Sequence, residues 1–253
     1  MNIEAIAQLL DKAASKAASV EQISLSQPFD LKTAYEIQRQ SIHRRVSRGE
    51  RIVGYKMGFT SKAKMEQMGV HDLIWGRLTD AMYYESHSDL PLSKFIHPRA
   101  EPEIAFKVSK EISEVLTLDN AQEYVSHVAV ALEIIDSRYK NFKFSLEDVI
   151  ADNCSSAAFT LGEWVPVTHN VNGILMSMVF EDIVMGSGNS NAILDTPWAS
   201  FVASTRLALK NGVIMKEGDI VLAGAATSAA HIKAGQTISA YADGLGSVFL
   251  EVV

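Results

Sequence analysis

The chain has 253 residues, 47% hydrophobic and 21% charged, with 30 Asp and Glu against 23 Lys and Arg, a net charge of −7 and one cysteine. It is too apolar for a disordered chain and long enough to bury a large core. The acidic balance excludes a general nucleic-acid binder, which needs a basic face, and one cysteine excludes a disulfide scaffold or a cysteine-ligated structural zinc site.

The first residues, MNIEAIAQLLDKAASKAAS, lack a basic stretch followed by an apolar core, so no signal peptide is expected. No apolar run reaches the roughly 18 to 20 residues of a membrane span. The richest, Val128 to Ile135, is short and contains Glu133. The expectation is a cytoplasmic protein with neither membrane nor nucleic acid as a partner.

Residues 2–19 place Ile3, Ile6, Leu9, Leu10, Ala13, Ala14 and Ala17 at helical spacing. Asp30 is the expected cap of a second helix with Leu31, Ala34, Tyr35, Ile42 and Val46 on one face and Gly49 past its end. RIVGYKMGF, at 51–59, predicts a strand, and Thr60 or Ser61 starts a short helix that stops at Gly69. Segments 77–84 and 100–108 read as strands. Asp119 caps an expected helix ending near His127, and VAVALEIID follows as a buried strand. The second half reads as strands at 174–181, 219–223, 236–241 and 246–253. One helix interrupts it, capped by Asp195 or Thr196, with Pro197 in its first turn and Asn211-Gly212 at its end.

Strand and helix do not alternate regularly, which argues against a doubly wound sheet. The spacing predicts an α+β protein. A helical segment over 1–75 packs on a mixed-β body over 76–253, and the two form one continuous functional unit.

Many chemistries are excluded by what is missing. There is no GxxxxGK[ST] phosphate loop, no GxGxxG after a strand, no HExxH and no GxSxG elbow. The seven histidines are scattered, with no pair at metal-ligand spacing. Cys154, in ADNCSS, has no histidine near it and reads as structural rather than nucleophilic.

Three carboxylates stand out. In AEPEIAFKV (100–108), alternation puts Ile104, Phe106 and Val108 on one face and Glu101 with Glu103 on the other, where like charges repel. Pro102 lacks an N–H and predicts a strand start or an edge. Glu133 is the one charge in VAVALEII, and a buried carboxylate must be neutralised, paired or metal-bound. With no obvious cationic neighbours, the three point to one hard divalent cation held by oxygens. Two solvated glutamates and one buried salt bridge are the alternative. Lys56 lies between Gly54 and Gly58 on one strand face, which leaves room for a ligand unless the lysine faces solvent. The small-residue turns GAATSAAH (224–231) and GLGSV (244–248) either hold an anion or serve as plain hairpin turns.

The stretches GYKMGFTSKAKMEQMGV (54–70), IHPRAEPEIAF (96–106), LEIIDSRYKNFKF (132–144), ADNCSS (151–156), EGDIVLAG (217–224) and GLGSV (244–248) spread over nearly the whole chain. Together they resemble the hydratase/decarboxylase branch of the fumarylacetoacetate hydrolase superfamily. The resemblance implies that superfamily's fold, with a mixed β-sandwich or roll body. It implies a divalent cation, Mg²⁺ or Mn²⁺, on Glu101, Glu103 and Glu133, and places Lys56 and Asp80 against the substrate as catalytic residues. The loops at Gly224–Thr227 and Gly246–Ser247 would hold the 2-oxo acid end. Arg138 would bind a carboxylate or brace the site.

The activity implied is decarboxylation of 2-oxo-3-hexenedioate to 2-hydroxypenta-2,4-dienoate and CO₂ in aromatic meta-cleavage catabolism. Hydration of that dienoate, with Asp80 as the candidate base, is the alternative, and an inactive metal-binding subunit is a third reading. A homo-oligomer and a complex with the pathway hydratase are further implications. One departure is plain: Asp195-Thr196-Pro197 stands where the family often has Gly-His-Pro. Proline between the two glutamates replaces the usual small residue and looks tolerable.

Overall fold

The computed structural model describes residues 1–61 and 73–253. The expected helix ending at Gly69 lies, from residue 62 onward, outside the described residues.

Two helices open the chain. In α1 (Ile3–Ser15) the Asn2 side chain accepts from the Ala5 N–H at 3.0 Å, and Ile6, Ala7, Leu10 and Ala13 are buried. The helix stops short of the predicted end because Ala17 takes a left-handed φ of 46°. In α2 (Leu31–Ser47) Asp30 caps by accepting from the Thr33 N–H at 2.8 Å, and Gly49 follows the end at φ 105°. Its buried face is Ala34, Ile37, Gln38, Ser41 and Ile42, whereas Leu31 and Val46, in the terminal turns, are exposed. A short helix, α3 (Leu146–Ala151), closes this layer with a Ser145–Asp148 capping box. Ile6, Leu10, Ile37, Val149 and Ile150 form its apolar core. Buried Gln38 ties the layer to the sheet by donating to the carbonyls of Trp75 and Ile150, each at 3.0 Å.

The strands are β1 (Ile52–Gly58), β2 (Ile74–Thr79), β3 (Ser88–Leu90), β4 (Arg99–Val108), β5 (Val125–Ile135), β6 (Ser156–Leu161), β7 (Val165–Pro166), β8 (Leu175–Phe180), β9 (Ile183–Asn189), β10 (Ile220–Ala225), β11 (Ala230–His231), β12 (Thr237–Ala242) and β13 (Gly246–Val252). They make an eight-stranded sheet in the order β2-β1-β10-β4-β5-β6, with β11 on β4 and β7 on β5, and a five-stranded sheet in the order β3-β13-β12-β8-β9. The β1–β10 pairing is parallel and the β4–β5 pairing antiparallel, so the larger sheet is mixed.

Even-numbered residues of β4 and β5, such as Phe106, Val130 and Leu132, face the other sheet and pack with Ile238, Ala240, Val248 and Leu250. The helix α4 (Pro197–Lys210) seals this core, Phe201 lying 5.2 Å from Phe106 between ring centroids. The α+β expectation, with a mixed sandwich body and N-terminal helices, matches the structure. Strand β1 lies within the 1–75 segment and is an interior strand of the larger sheet, so the two segments share one sheet.

Three sequence expectations change. The strand expected at 77–84 is β2, and the chain leaves it in a single turn at Asp80–Met82. The helix expected after Asp119 is a short 3-10 turn at Ala121–Tyr124, because Val125 already begins β5 and pairs with Val108. Pro102 is not at an edge: β4 pairs with β5 on one side and β10 on the other. The β10 register shifts between Leu222 and Ala225 beside it, and the Pro102 carbonyl accepts from Ala226 at 3.0 Å. The missing N–H therefore falls at a bulge, where no ladder bond is interrupted. Among the described residues no helix is long and apolar enough to cross a membrane.

Candidate metal centre and substrate cavity

The odd-numbered face of β4 and β5 turns away from the inter-sheet core. Strand alternation puts Glu101 and Glu103 on it together, and the antiparallel register sets Glu133 directly opposite Glu101. One carboxylate oxygen from each of the three lies within 4.8 Å of the others. Glu103 and Glu133 are fully buried and Glu101 is 8% exposed.

The bulge in β10 also serves this site. It turns the Gly224 N–H onto Glu103 Oε2 at 2.7 Å. Gly224 has φ 103°, and a Cβ there would come 2.1 Å from Thr60 Oγ1, so only glycine fits.

Lys56 of β1 is 4% exposed and shares this face. Its Nζ lies 3.0 Å from Glu133 Oε2 and donates to the Cys154 carbonyl at 3.3 Å. Lys56 is thus a cationic neighbour of the trio, where the sequence showed no obvious one. The flanking glycines have a different purpose from the one expected. A Cβ on Gly54 would lie 2.1 Å from the Ile220 carbonyl oxygen, so Gly54 admits the neighbouring β10 backbone. Gly58 does border the cavity.

Lys56 is the cation paired with Glu133 among the described residues. Glu103 Oε1 and Glu133 Oε1 are buried without a hydrogen-bond partner among the described residues, and Glu133 Oε2 has the Lys56 ammonium 3.0 Å away. Burial pushes the Glu103 carboxyl well above its ordinary range; the Glu133 charge adds to this, and Lys56 opposes it. Burial likewise raises Glu133 against the pull of Lys56. Burial works against the Lys56 charge, but attraction from Glu133, Glu103 and Glu101 prevails and raises its pKa. Orphaned buried carboxylate oxygens are costly. An all-oxygen donor set of three carboxylates fits a hard divalent cation, which would satisfy them.

Glu101 opens the trio onto a cavity of about 610 Å³. Lys56, Arg99, Glu101, Phe142, Lys143 and Ser155 are among its walls. A turn with three consecutive left-handed residues, Asn153, Cys154 and Ser155 (φ 50°, 53° and 58°), carries the Cys154 carbonyl to Lys56. Asn153 holds this turn by pairing with the Arg77 backbone, accepting at 2.8 Å and donating at 2.9 Å. Cys154 is buried, and burial pushes its thiol up to about 12, which fits a structural cysteine.

Arg138 is buried and turned toward Asp152, which it contacts through Nε and Nη2, and Nη1 donates to the Ser156 carbonyl at 3.2 Å. It therefore braces the β5 and β6 ends of the site. Asp80 lies at the surface, its carboxylate accepting from the Arg51 backbone N–H and Nε, both at 2.9 Å, and does not border the cavity. Thr227 packs against the β9 glycines, so Gly224 is tied to Glu103 and Thr227 to the second sheet. Ser247 is exposed in a separate cleft with Tyr83 and Gly162. Thr196 caps α4, accepting from the Trp198 N–H at 3.2 Å, and its hydroxyl donates to Asn172.

Arg99 was not singled out from the sequence. It shares the odd-numbered face of β4 with Glu101 and Glu103, and the same alternation identifies it. Asp152 and Asn153 were also passed over, although both lie in ADNCSS.

The family model described as Fumarylacetoacetate (FAA) hydrolase C-terminal matches residues 62–253. A 4-oxalocrotonate decarboxylase of Pseudomonas sp is 45% identical over 98% of this chain and 97% of its own. A 2-keto-4-pentenoate hydratase of Paraburkholderia phymatum is 32% identical over 97% of this chain and 95% of its own. Among solved structures, 4-oxalocrotonate decarboxylase from Pseudomonas putida G7, complexed with magnesium and adipate, superposes with a TM-score of 0.96 at 30% identity, covering 99% of this chain and 97% of that one.

Proposed function

The chain belongs to the fumarylacetoacetate hydrolase family, and from that premise we propose that it decarboxylates 4-oxalocrotonate (2-oxo-3-hexenedioate) to 2-hydroxypenta-2,4-dienoate and CO₂. The observation that carries this reading is the buried Glu101–Glu103–Glu133 trio with Lys56 beside it, Glu101 and Lys56 bordering a cavity. The decarboxylase relative is also more similar than the hydratase one.

The substrate carries a carboxylate at C1, a ketone at C2, a C3–C4 double bond and a carboxylate at C6. Loss of CO₂ from C6 leaves an electron pair that moves through the C3–C4 double bond onto the C2 oxygen. The ketone is the electron sink, so no covalent bond to Lys56 is needed. A divalent cation on the three glutamates, Mg²⁺ or Mn²⁺, would supply Lewis-acid stabilisation of the charge developing on that oxygen. Lys56 contributes a fixed positive charge on the same face. Phe59, Phe142 and Phe144 give the cavity apolar walls, against which these electrostatic contacts are stronger than in open water. The Gly224 amide positions Glu103, and the Arg138–Asp152 pair holds the adjoining strand ends.

Hydration of the dienoate is the second reading, supported by the hydratase relative. It needs a base near the distal carbon, and Asp80, paired with Arg51, does not border the cavity. Supplying the magnesium-loaded protein separately with 2-oxo-3-hexenedioate and 2-hydroxypenta-2,4-dienoate separates the two. CO₂ from the first supports decarboxylation, and water addition to the second without CO₂ release from the first supports hydration.

The 1–75 and 76–253 segments act as one unit in this reading, since Lys56 comes from one and the glutamates from the other. A homo-oligomer is supported by Ile183 and Val184 of edge strand β9, 66% and 61% exposed. Association with the hydratase that consumes the product follows from the same pathway chemistry.

A further inference from the structure

Along the odd-numbered face of β4 the cavity wall changes sign. Arg99 lies one same-face step before Glu101, a separation of about 7 Å at the rise of an extended strand. Its guanidinium carbon sits 4.1 Å over the Phe142 ring, which holds the side chain against the wall. The Arg99 Nε is buried without a hydrogen-bond partner. Among the described residues the Arg99 guanidinium has no carboxylate partner, although three glutamates lie along the same face. Lys143, on the loop after β5, borders the same cavity and also has no ion pair among the described residues. Burial, and then the charges of Arg99, His97 and Lys233, hold the nearby His231 imidazole below its usual value.

A half-buried guanidinium with a buried, unused Nε donor suits an anion with planar, two-pronged geometry. We propose that Arg99, assisted by Lys143, receives the distal carboxylate of a six-carbon 2-oxo dicarboxylic acid whose 2-oxo end lies at the glutamate trio. This rests on the reading of the cavity as a 2-oxo acid site and adds the residue that selects a dicarboxylate over a monocarboxylate. A six-carbon chain spans about 6 Å from end to end with C–C bonds of roughly 1.5 Å, which the step from Glu101 to Arg99 accommodates. The carboxylate that Arg99 holds is the one lost as CO₂. Its charge leaves it in the transition state, so Arg99 stabilises the bound substrate at least as much as the transition state. Arg99 is therefore a specificity and positioning residue that sets KM and leaves kcat largely intact.

The test compares two saturated, unreactive ligands of equal length, 2-oxoadipate and 2-oxohexanoate, which differ only in the distal carboxylate. Their dissociation constants are measured by calorimetry on the magnesium-loaded wild type, Arg99→Gln and Arg99→Lys. The wild type is expected to prefer 2-oxoadipate. Arg99→Gln is expected to weaken 2-oxoadipate about tenfold to a hundredfold and leave 2-oxohexanoate within about twofold. Arg99→Lys, which keeps the charge but loses the fork, is expected to fall between them. Equal loss for both ligands, or no loss, overturns the assignment. Equal affinity in the wild type overturns it without any variant. If the wild type makes no CO₂ from 2-oxo-3-hexenedioate yet shows this Arg99-dependent preference, the decarboxylase reading fails and the dicarboxylate subsite stands.

Discussion

Glu101 on β4 and Glu133 on β5 are direct cross-strand partners, two carboxylates facing each other inside the protein. Such a pair is destabilising by itself. Glu103 adds a third negative charge one same-face step along, and Lys56 neutralises one. Carboxylate oxygens from all three lie within 4.8 Å of one another, an arrangement that could hold a metal ion.

Replacing Glu133 by alanine removes one of the three proposed ligands and the partner of Lys56 together. Binding of Mg²⁺ or Mn²⁺, followed by calorimetry, should fall below detection, and decarboxylation should fall with it. A variant that binds the cation as tightly as the wild type contradicts the ligand assignment.

Lys56→Met keeps the three carboxylates and removes the fixed positive charge. Cation binding should persist or tighten, while kcat falls about a hundredfold to a thousandfold, the usual cost of losing one preorganised electrostatic group. Parallel loss of cation affinity would instead make Lys56 a support for the metal site.

Asp80→Ala tests whether this carboxylate takes part in chemistry. Because Asp80 is held at the surface by Arg51, the turnover of 2-oxo-3-hexenedioate should stay within about twofold. A drop in kcat of an order of magnitude or more would bring Asp80 into the active site.

A fourth prediction concerns stability. Asp11 of α1 takes two 2.7 Å hydrogen bonds from Arg48, just past α2. Burial would raise its pKa, but the Arg48 hydrogen bond and charge outweigh it, leaving the group below its usual 3.8. A lowered carboxylate pKa adds stability above the unfolded value, and that stability is lost as pH falls through the folded value. Asp11→Asn should cost about 1 kcal/mol at neutral pH in chemical denaturation, and the difference from wild type should shrink below the unfolded pKa and vanish below the lower folded one. A difference independent of pH would point to packing instead of charge.

The glutamate trio was legible in the sequence because strand alternation and an interrupted apolar run are local patterns. Arg99 obeys the same alternation, but a single arginine at a strand start creates no visible conflict. The cap at Asp30 and the Thr196-Pro197 start of α4 were readable from local chemistry alone. The helix after Asp119 was not, because a polar cap signal there loses to the pairing of Val125 with β4. Strand β9 was passed over since Gly186 and Gly188 weaken its pattern. Those glycines are set by contact with another element: a Cβ on them would meet Thr227 Oγ1 at 2.8 Å and the Ala226 carbonyl oxygen at 2.7 Å. Pro102 in a central strand likewise depends on a bulge in β10, far away in sequence.

The most direct test is to count CO₂ against 2-oxo-3-hexenedioate consumed, first with magnesium, then after chelation, then with magnesium restored. The expected result is one CO₂ and one 2-hydroxypenta-2,4-dienoate per substrate, abolished by the chelator and recovered with the cation. Release of CO₂ that ignores chelation, or no release at all from the magnesium-loaded protein, would contradict metal-dependent decarboxylation at the Glu101–Glu103–Glu133 site.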